Sequence, residues 1–274
     1  MHGAQQRDRQ RVVRLSGPLI AAFALVLAAV PAAAETRSFG ITSYARLVVR
    51  GDMIVEVTDN PRLSGRAEGP RDTLLALRVE QAGDTLILSQ SRDGPYGPVA
   101  PSSGTLTVRI SAAGLREVDV RGGGRVRVAR IVGDTARVGV DGPASVNIAS
   151  LTSRVATIVQ RGAGELHVAG RTIALNARST GSGTLDLAQL TSDEATLVAA
   201  GSGAHRLQAR RTAALTLSGE AGAQVYGSAR CTITNSGAGD ARCRQTLPSG
   251  AVDATASTPA ASPAVQPRRA YPGR

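Results

Sequence analysis

From Leu115 to Leu247, apolar and polar residues alternate, and small-residue turns interrupt the alternation at near-constant intervals. The turns are Gly122-Gly123-Gly124, Gly142-Pro143-Ala144, Gly162-Ala163-Gly164, Gly181-Ser182-Gly183, Gly201-Ser202-Gly203, Glu220-Ala221-Gly222 and Gly237-Ala238-Gly239. Their third members stand at positions 124, 144, 164, 183, 203, 222 and 239, so the steps are 20, 20, 19, 20, 19 and 17. Four residues before a turn stand Val118, Val138, Ile158, Ala177, Leu197 and Ile233. Two after it stand Val126, Val146, Leu166 and Leu185, and two further on Val128, Ile148, Val168, Leu187, Leu207 and Tyr226. The intervening Arg125, Arg127, Ser145, Asn147, Glu165, His167, Thr184 and Asp186 are polar. Alternation of period two places the first groups in a core and the second in water. A third apolar point follows at Ile131, Leu151 and Leu190, with Arg171 and Arg210 at the equivalent places.

A fixed period of this size predicts an all-β chain wound as a parallel β-helix or solenoid, with coils of about 19–20 residues. Glycine in the turns lets the chain bend sharply between strands, whereas glycine recurring inside a helix costs about 1 kcal/mol each. Antiparallel hairpins are the alternative, but Gly-Ser-Gly is not a strong two-residue hairpin signal. Seven coils at the strand spacing of about 4.8 Å would form a rod core about 34 Å long. No coil buries its apolar face alone, so both ends need caps.

The flanking segments are less regular. Residues 1–34 predict an export signal: Arg7, Arg9, Arg11 and Arg14 precede an apolar run from Leu19 to Val30, and Ala32-Ala33-Ala34 offers a cleavage site. An uncleaved anchor helix is the alternative, and no later segment predicts a transmembrane span. Residues 35–114 predict irregular N-terminal coils and a cap, with strands at Leu47–Val49, Met53–Val57, Leu74–Val79 and Leu86–Leu88, and a surface loop from Arg92 to Ser103. Residues 115–247 hold the regular repeats, and the Pro/Ala/Ser-rich residues 248–274 are expected to be disordered.

Cys231 and Cys243 occupy inward slots by count, Cys231 that of Ala136, Ala156, Leu175 and Ala195, and Cys243 that of Val128, Val168 and Leu207. In an exported protein such a pair is expected to form a disulfide rather than a metal site, stapling the terminal coil. Two buried free thiols are the alternative.

The turns, together with Phe39-Gly40-Ile41-Thr42-Ser43-Tyr44-Ala45-Arg46-Leu47-Val48-Val49-Arg50-Gly51 and Gly83-Asp84-Thr85-Leu86-Ile87-Leu88, carry a resemblance. From about Phe39 to Cys243 the chain resembles the bacterial head GIN domain family, also labelled "putative auto-transporter adhesin". The resemblance implies a right-handed β-helix-like domain in an exported protein, periplasmic or at the cell surface. It carries no established activity and no agreed catalytic residues. The residues after Leu247 are too few and too proline-rich for the membrane barrel of a self-translocating adhesin.

Chemistry adds little to this picture. A polysaccharide lyase or hydrolase built on a β-helix would need clustered carboxylates, whereas Asp119, Asp134, Asp141, Glu165 and Asp186 stand in different registers by count. His167 and His205 fall three and two residues past their turn glycines, on opposite faces, and neither has a second ligand at useful spacing. No cofactor, metal or catalytic site is predicted. The expected role is a non-enzymatic binding or adhesion-type module of the cell envelope.

Charge has two readings, ordinary solvated strand faces or a basic flank that meets a polyanionic ligand. The formal charge is +11; the segment 1–34 carries four arginines and one aspartate, so the remainder keeps +8, with no lysine. Arg125, Arg127, Arg161 and Arg206 are the candidate contacts for polyanions such as envelope glycans. Without interleaved aromatics, specific nucleic-acid recognition is not expected.

Overall fold

The computed structural model describes residues 35–90, 93–94, 97–98 and 104–244. The export signal expected at 1–34 and the tail expected at 248–274 lie outside the described residues, as do most of the loop positions between 92 and 103.

In chain order the elements are β1 (Glu35–Phe39), β2 (Arg46–Arg50), β3 (Ile54–Asp59), β4 (Gly65–Gly69), α1 (Arg71–Ala76), β5 (Leu77–Ala82) and β6 (Thr85–Gln90). A short hairpin of β7 (Asp93–Gly94) and β8 (Gly97–Pro98) precedes β9 (Thr107–Ala112), β10 (Glu117–Arg121) and β11 (Arg125–Val128). The long strands β12 (Ile131–Asp141), β13 (Ser145–Arg161), β14 (Glu165–Gly181), β15 (Thr184–Gly201) and β16 (Ala204–Gly219) follow. The chain then forms β17 (Gly222–Tyr226), β18 (Arg230–Asn235) and β19 (Ala241–Arg244). The fold is a parallel β-solenoid, in which successive coils pair in register.

Each regular coil presents three lateral faces. Face 1 stacks the strand segment before the glycine turn, through the column Leu86–Leu47–Val118–Val138–Ile158–Ala177–Leu197–Leu215–Ile233. Face 2 stacks the segment after the turn, for example Val55–Val126–Val146–Leu166–Leu185–His205–Ala223–Ala241. Face 3 runs through β12 to β15, and its pairing skips the corner residues Asp134, Arg154, Ile173 and Asp193. The inward columns are almost entirely aliphatic, with His205 and Gln160 as polar members, and are buried except at the last layer. Each such aliphatic side chain removed from water contributes about 1.5–3 kcal/mol, which is why the alternation read in the sequence becomes the core.

The face 1 column has nine members, seven from the regular repeats and two, Leu47 and Leu86, from the N-terminal coils, whose strands do not stack in chain order. β2 pairs with β6 on one side and β10 on the other, and β3 lies likewise between β9 and β11. The chain therefore lays down one coil, drops below it to form β6 and β9, and returns above it. Hydrogen bonds from the Arg116 and Glu117 amides to the Ala45 carbonyl, 2.8 and 3.0 Å, hold the return. Antiparallel strands close this end: β5 on β6, β4 on β9 and β1 on β4. The segment Leu74–Val79, expected as one strand, is α1 up to Ala76 and strand only from Leu77. Pro70 at the helix start, with φ −58°, accepts a hydrogen bond from the Thr73 hydroxyl and sets that turn.

Three details of the repeat differ from fixed-offset counting. The sixth turn is Gly219-Glu220-Ala221 rather than 220–222, since Gly201 pairs with Gly219 and Ala204 with Gly222. Val225, not Tyr226, continues the column of Leu207. Tyr226 is nevertheless buried, and its hydroxyl donates to Gln224. Gly170, not Arg171, takes the place of Leu151 and Leu190 on face 3, because the chain is one residue shorter at that corner. Gly170 has φ +133°, and a Cβ there would collide with the Leu151 carbonyl oxygen, so only glycine fits. The displaced Arg171 points to solvent, as does Arg210.

Candidate binding surface

The outward residues of face 2 form a charged ladder. Its central column reads Arg109, Glu56, Arg127, Asn147, His167, Asp186, Arg206, Gln224 and Arg242. Opposite charges fall on neighbouring strands and pair: Arg109 with Glu56 at 3.0 Å, Arg127 with Glu56 at 3.5 Å, and Arg206 with Asp186 at 3.3 Å. Arg109 also reaches Glu68 of β4 at 2.7 Å. His167 Nδ1 lies 3.6 Å from the Asp186 carboxylate, which raises the imidazole pKa and lowers that of the carboxyl. The partner of His167 is thus its neighbour in the next coil, and not close in sequence.

Face 1 is organised differently. Its outward column beside the glycine turn reads Arg50, Arg121, Asp141, Arg161, Thr180. A neighbouring column reads Val48, Asp119, Gly139, Val159, Arg178, Val198, Thr216. Arg46 pairs with Glu117 at 2.8 Å and Arg121 with Asp119 at 3.1 Å. Among the described residues, Arg50, Arg137, Arg161 and Arg178 make no ion pair within 4.0 Å, and all four are exposed. Asp119 and Asp141 lie on adjacent strands of this face in different registers, opposite Gly139 and Arg121 respectively.

The four arginines singled out in the sequence are therefore not one cluster. Arg127 and Arg206 belong to the ion-paired ladder of face 2. Arg125 follows the glycine turn on face 2, and Arg161 precedes it on face 1.

Two polar side chains lie buried in the core, Gln160, which no sequence motif marks, and His205, which the turn count places inward. Gln160 takes an inward slot on face 1, fully buried, where its amide donates to the carbonyls of Gly164 and Thr184 and its oxygen accepts from Ser179. His205 takes the inward slot of Leu185 on face 2 and is only 3 % exposed, and its Nδ1 has no partner among the described residues. Burial lowers its pKa to about 4, so the ring is neutral.

Cys231 and Cys243 form a disulfide across the last coil. They continue the columns of Ala213 and Val225, but Cys243 is exposed because no further described strand covers it. Two open hollows lie on the N-terminal cap, one against Phe39, Gly65 and Arg66 and one against Arg37, Arg71 and Leu74.

Among solved structures, a "putative adhesin" from Bacteroides fragilis superposes with a TM-score of 0.71 at 18% identity, over 77% of this chain and 97% of that one. A "putative adhesin" from Parabacteroides merdae gives 0.61 at 12% identity, over 77% and 96%. A "putative lipid binding protein" from Parabacteroides distasonis gives 0.58 at 15% identity, over 77% and 97%. These likenesses concern the fold. No curated protein matches the sequence. The model of the family described as "Putative auto-transporter adhesin, head GIN domain" matches residues 43–229, and the chain belongs to that family.

Proposed function

We propose that the protein is an exported, non-enzymatic binding module of the cell envelope whose ligand is polyanionic. Family membership supports a binding or adhesion-type role. The observation that carries the polyanion reading is the set of exposed arginines on face 1 without carboxylate partners among the described residues. Guanidinium groups held on a strand scaffold present planar donors suited to carboxylate, sulfate or phosphate.

The test is retention of the purified protein on immobilised acidic glycan as salt is raised. Screening shortens from about 8 Å at physiological ionic strength to about 3 Å at 1 M, so retention should fall steeply. Retention indifferent to salt would rule out the electrostatic reading. A lyase or hydrolase is the second reading, for which Asp119 and Asp141, on neighbouring strands of the arginine-bearing face but two residues apart in register, are the candidate carboxylates. Product release from the same glycans, abolished by Asp119→Asn or Asp141→Asn, would establish it instead.

A further inference from the structure

We propose that face 1, from the layer of β2 to that of β14, is a docking track for a linear acidic polysaccharide lying parallel to the stacking axis. The proposal rests on the polyanion reading above and assigns it to one face, one direction and one ligand class.

Both charged faces pair unlike charges on neighbouring strands, but face 1 keeps arginines in excess of its carboxylates. Charges directly opposite on neighbouring strands stabilise when unlike and destabilise when alike. Face 2 follows this rule, with Arg109, Glu56 and Arg127 alternating in sign and Asp186 beside Arg206. Face 1 follows it at Glu117, between Arg46 and Arg137, and at Asp141, between Arg121 and Arg161, but breaks it where Arg50 stands directly opposite Arg121. Arg161 then follows across Asp141, and Arg178 lies one layer beyond Arg161 in the adjacent column. Asp119 offsets the charge of Arg121, which leaves Arg50, Arg137, Arg161 and Arg178 without an ion pair among the described residues. An external anion bridging successive layers supplies the missing counter-charge.

The track has ends. Beyond Arg178 the outward residues in the columns of Arg137, Arg178 and Arg161 are uncharged, namely Thr196, Val198, Ala200, Ala214, Thr216 and Ser218, and the charges left on β15 and β18 are Glu194 and Arg230 at the far edge of the face. From Arg50 to Arg178 is four layer steps, about 19 Å at the strand spacing. That spacing is close to the length one sugar residue adds to an extended glycan, so an acidic chain along the axis keeps step with the arginines. Thr157, Asn176 and Thr180 stand between them and can bond sugar hydroxyls. The outward columns of face 1 contain no aromatic ring among the described residues, so the base-stacking platform of single-strand nucleic-acid binders is missing there. This favours a glycan over DNA.

The experiment titrates the purified protein with oligogalacturonates of increasing length. Affinity should rise with length and level off once the oligomer spans about 19 Å. The triple variant Arg50→Gln, Arg161→Gln, Arg178→Gln should bind at least about tenfold more weakly with an unchanged thermal melt. Arg127→Gln with Arg206→Gln on face 2 should bind within about threefold of the parent, since screening separates the faces. An equal or larger loss from the face 2 variant would overturn the assignment to face 1. Tighter binding of single-stranded DNA, or of anionic lipid vesicles, would overturn the ligand class. No binding by the parent protein to any polyanion would instead sink the underlying polyanion reading.

Discussion

Replacing Cys231 and Cys243 with serine will fray the last layer of the solenoid and leave the earlier coils intact. The bond closes a short loop, with a sequence separation of 12. In the chain-entropy model a loop near that size is worth on the order of 3 kcal/mol. The terminal layer depends on it because, among the described residues, each of its strands is paired on one side only, β18 with β16 and β19 with β17. Its inward apolar residue Ile233 is 40 % exposed, whereas Val118, Val138 and Ile158 of the same column are at 0 %. In a stack where each coil contacts only its neighbours, the loss stays local. Hydrogen exchange should therefore accelerate through β18 and β19 while β12 to β15 keep their protection. A uniform loss across all coils would show that the bond supports the whole fold, and unchanged exchange would show that it supports nothing. Because Cys243 is exposed, a reductant should reach the bond without unfolding and give the same pattern.

The second large effect is a dependence of stability on pH that His205 creates. Folding moves its pKa from the ordinary 6.5 to about 4. Between those values the unfolded chain binds a proton that the folded chain rejects, so stability is complete above about pH 6.5 and declines as pH falls towards 4. The full loss is on the order of 3 kcal/mol, from about 1.36 kcal/mol per pKa unit. His205→Leu should remove that slope, because Val126, Val146, Leu166 and Leu185 show that the column accepts aliphatic side chains. The comparison of parent and variant cancels other titrating groups, including His167. The raised pKa of His167 contributes stability that is present at low pH and lost as pH rises through its folded pKa. Parallel stability curves for parent and His205→Leu from pH 7 to pH 4 would contradict the assignment.

The core of this fold was legible because burial alternates strictly and the turns recur. The columns of Val118 and Val126 follow from counting alone, and the same count places His205 inward, two residues past Gly203. Counting failed where a coil gains or loses a residue. The shortening before Gly170 moved Arg171 out of the core, and the shorter step from Gly201 to Gly219 replaced Tyr226 by Val225. The N-terminal stacking order was hidden for another reason. β6 pairs with a strand far back in the sequence, as Leu86 with Leu47, and nothing local in an apolar strand specifies which neighbour it takes. The antiparallel β1 left no periodic trace because it is polar and mostly exposed. The ion-paired ladder was invisible for the same reason as the surplus arginines. Whether Arg127 or Arg161 meets a carboxylate depends on residues one coil away, and that distance has meaning only once the register is known.

Arginine-observed NMR of the side-chain Nε–H groups, during titration with an oligogalacturonate long enough to span the track, tests the role of face 1 most directly. Shifts should concentrate at Arg50, Arg121, Arg137, Arg161 and Arg178, with Arg127 and Arg206 unmoved. Shifts concentrated on Arg127 and Arg206, or spread evenly over all exposed arginines, would contradict it.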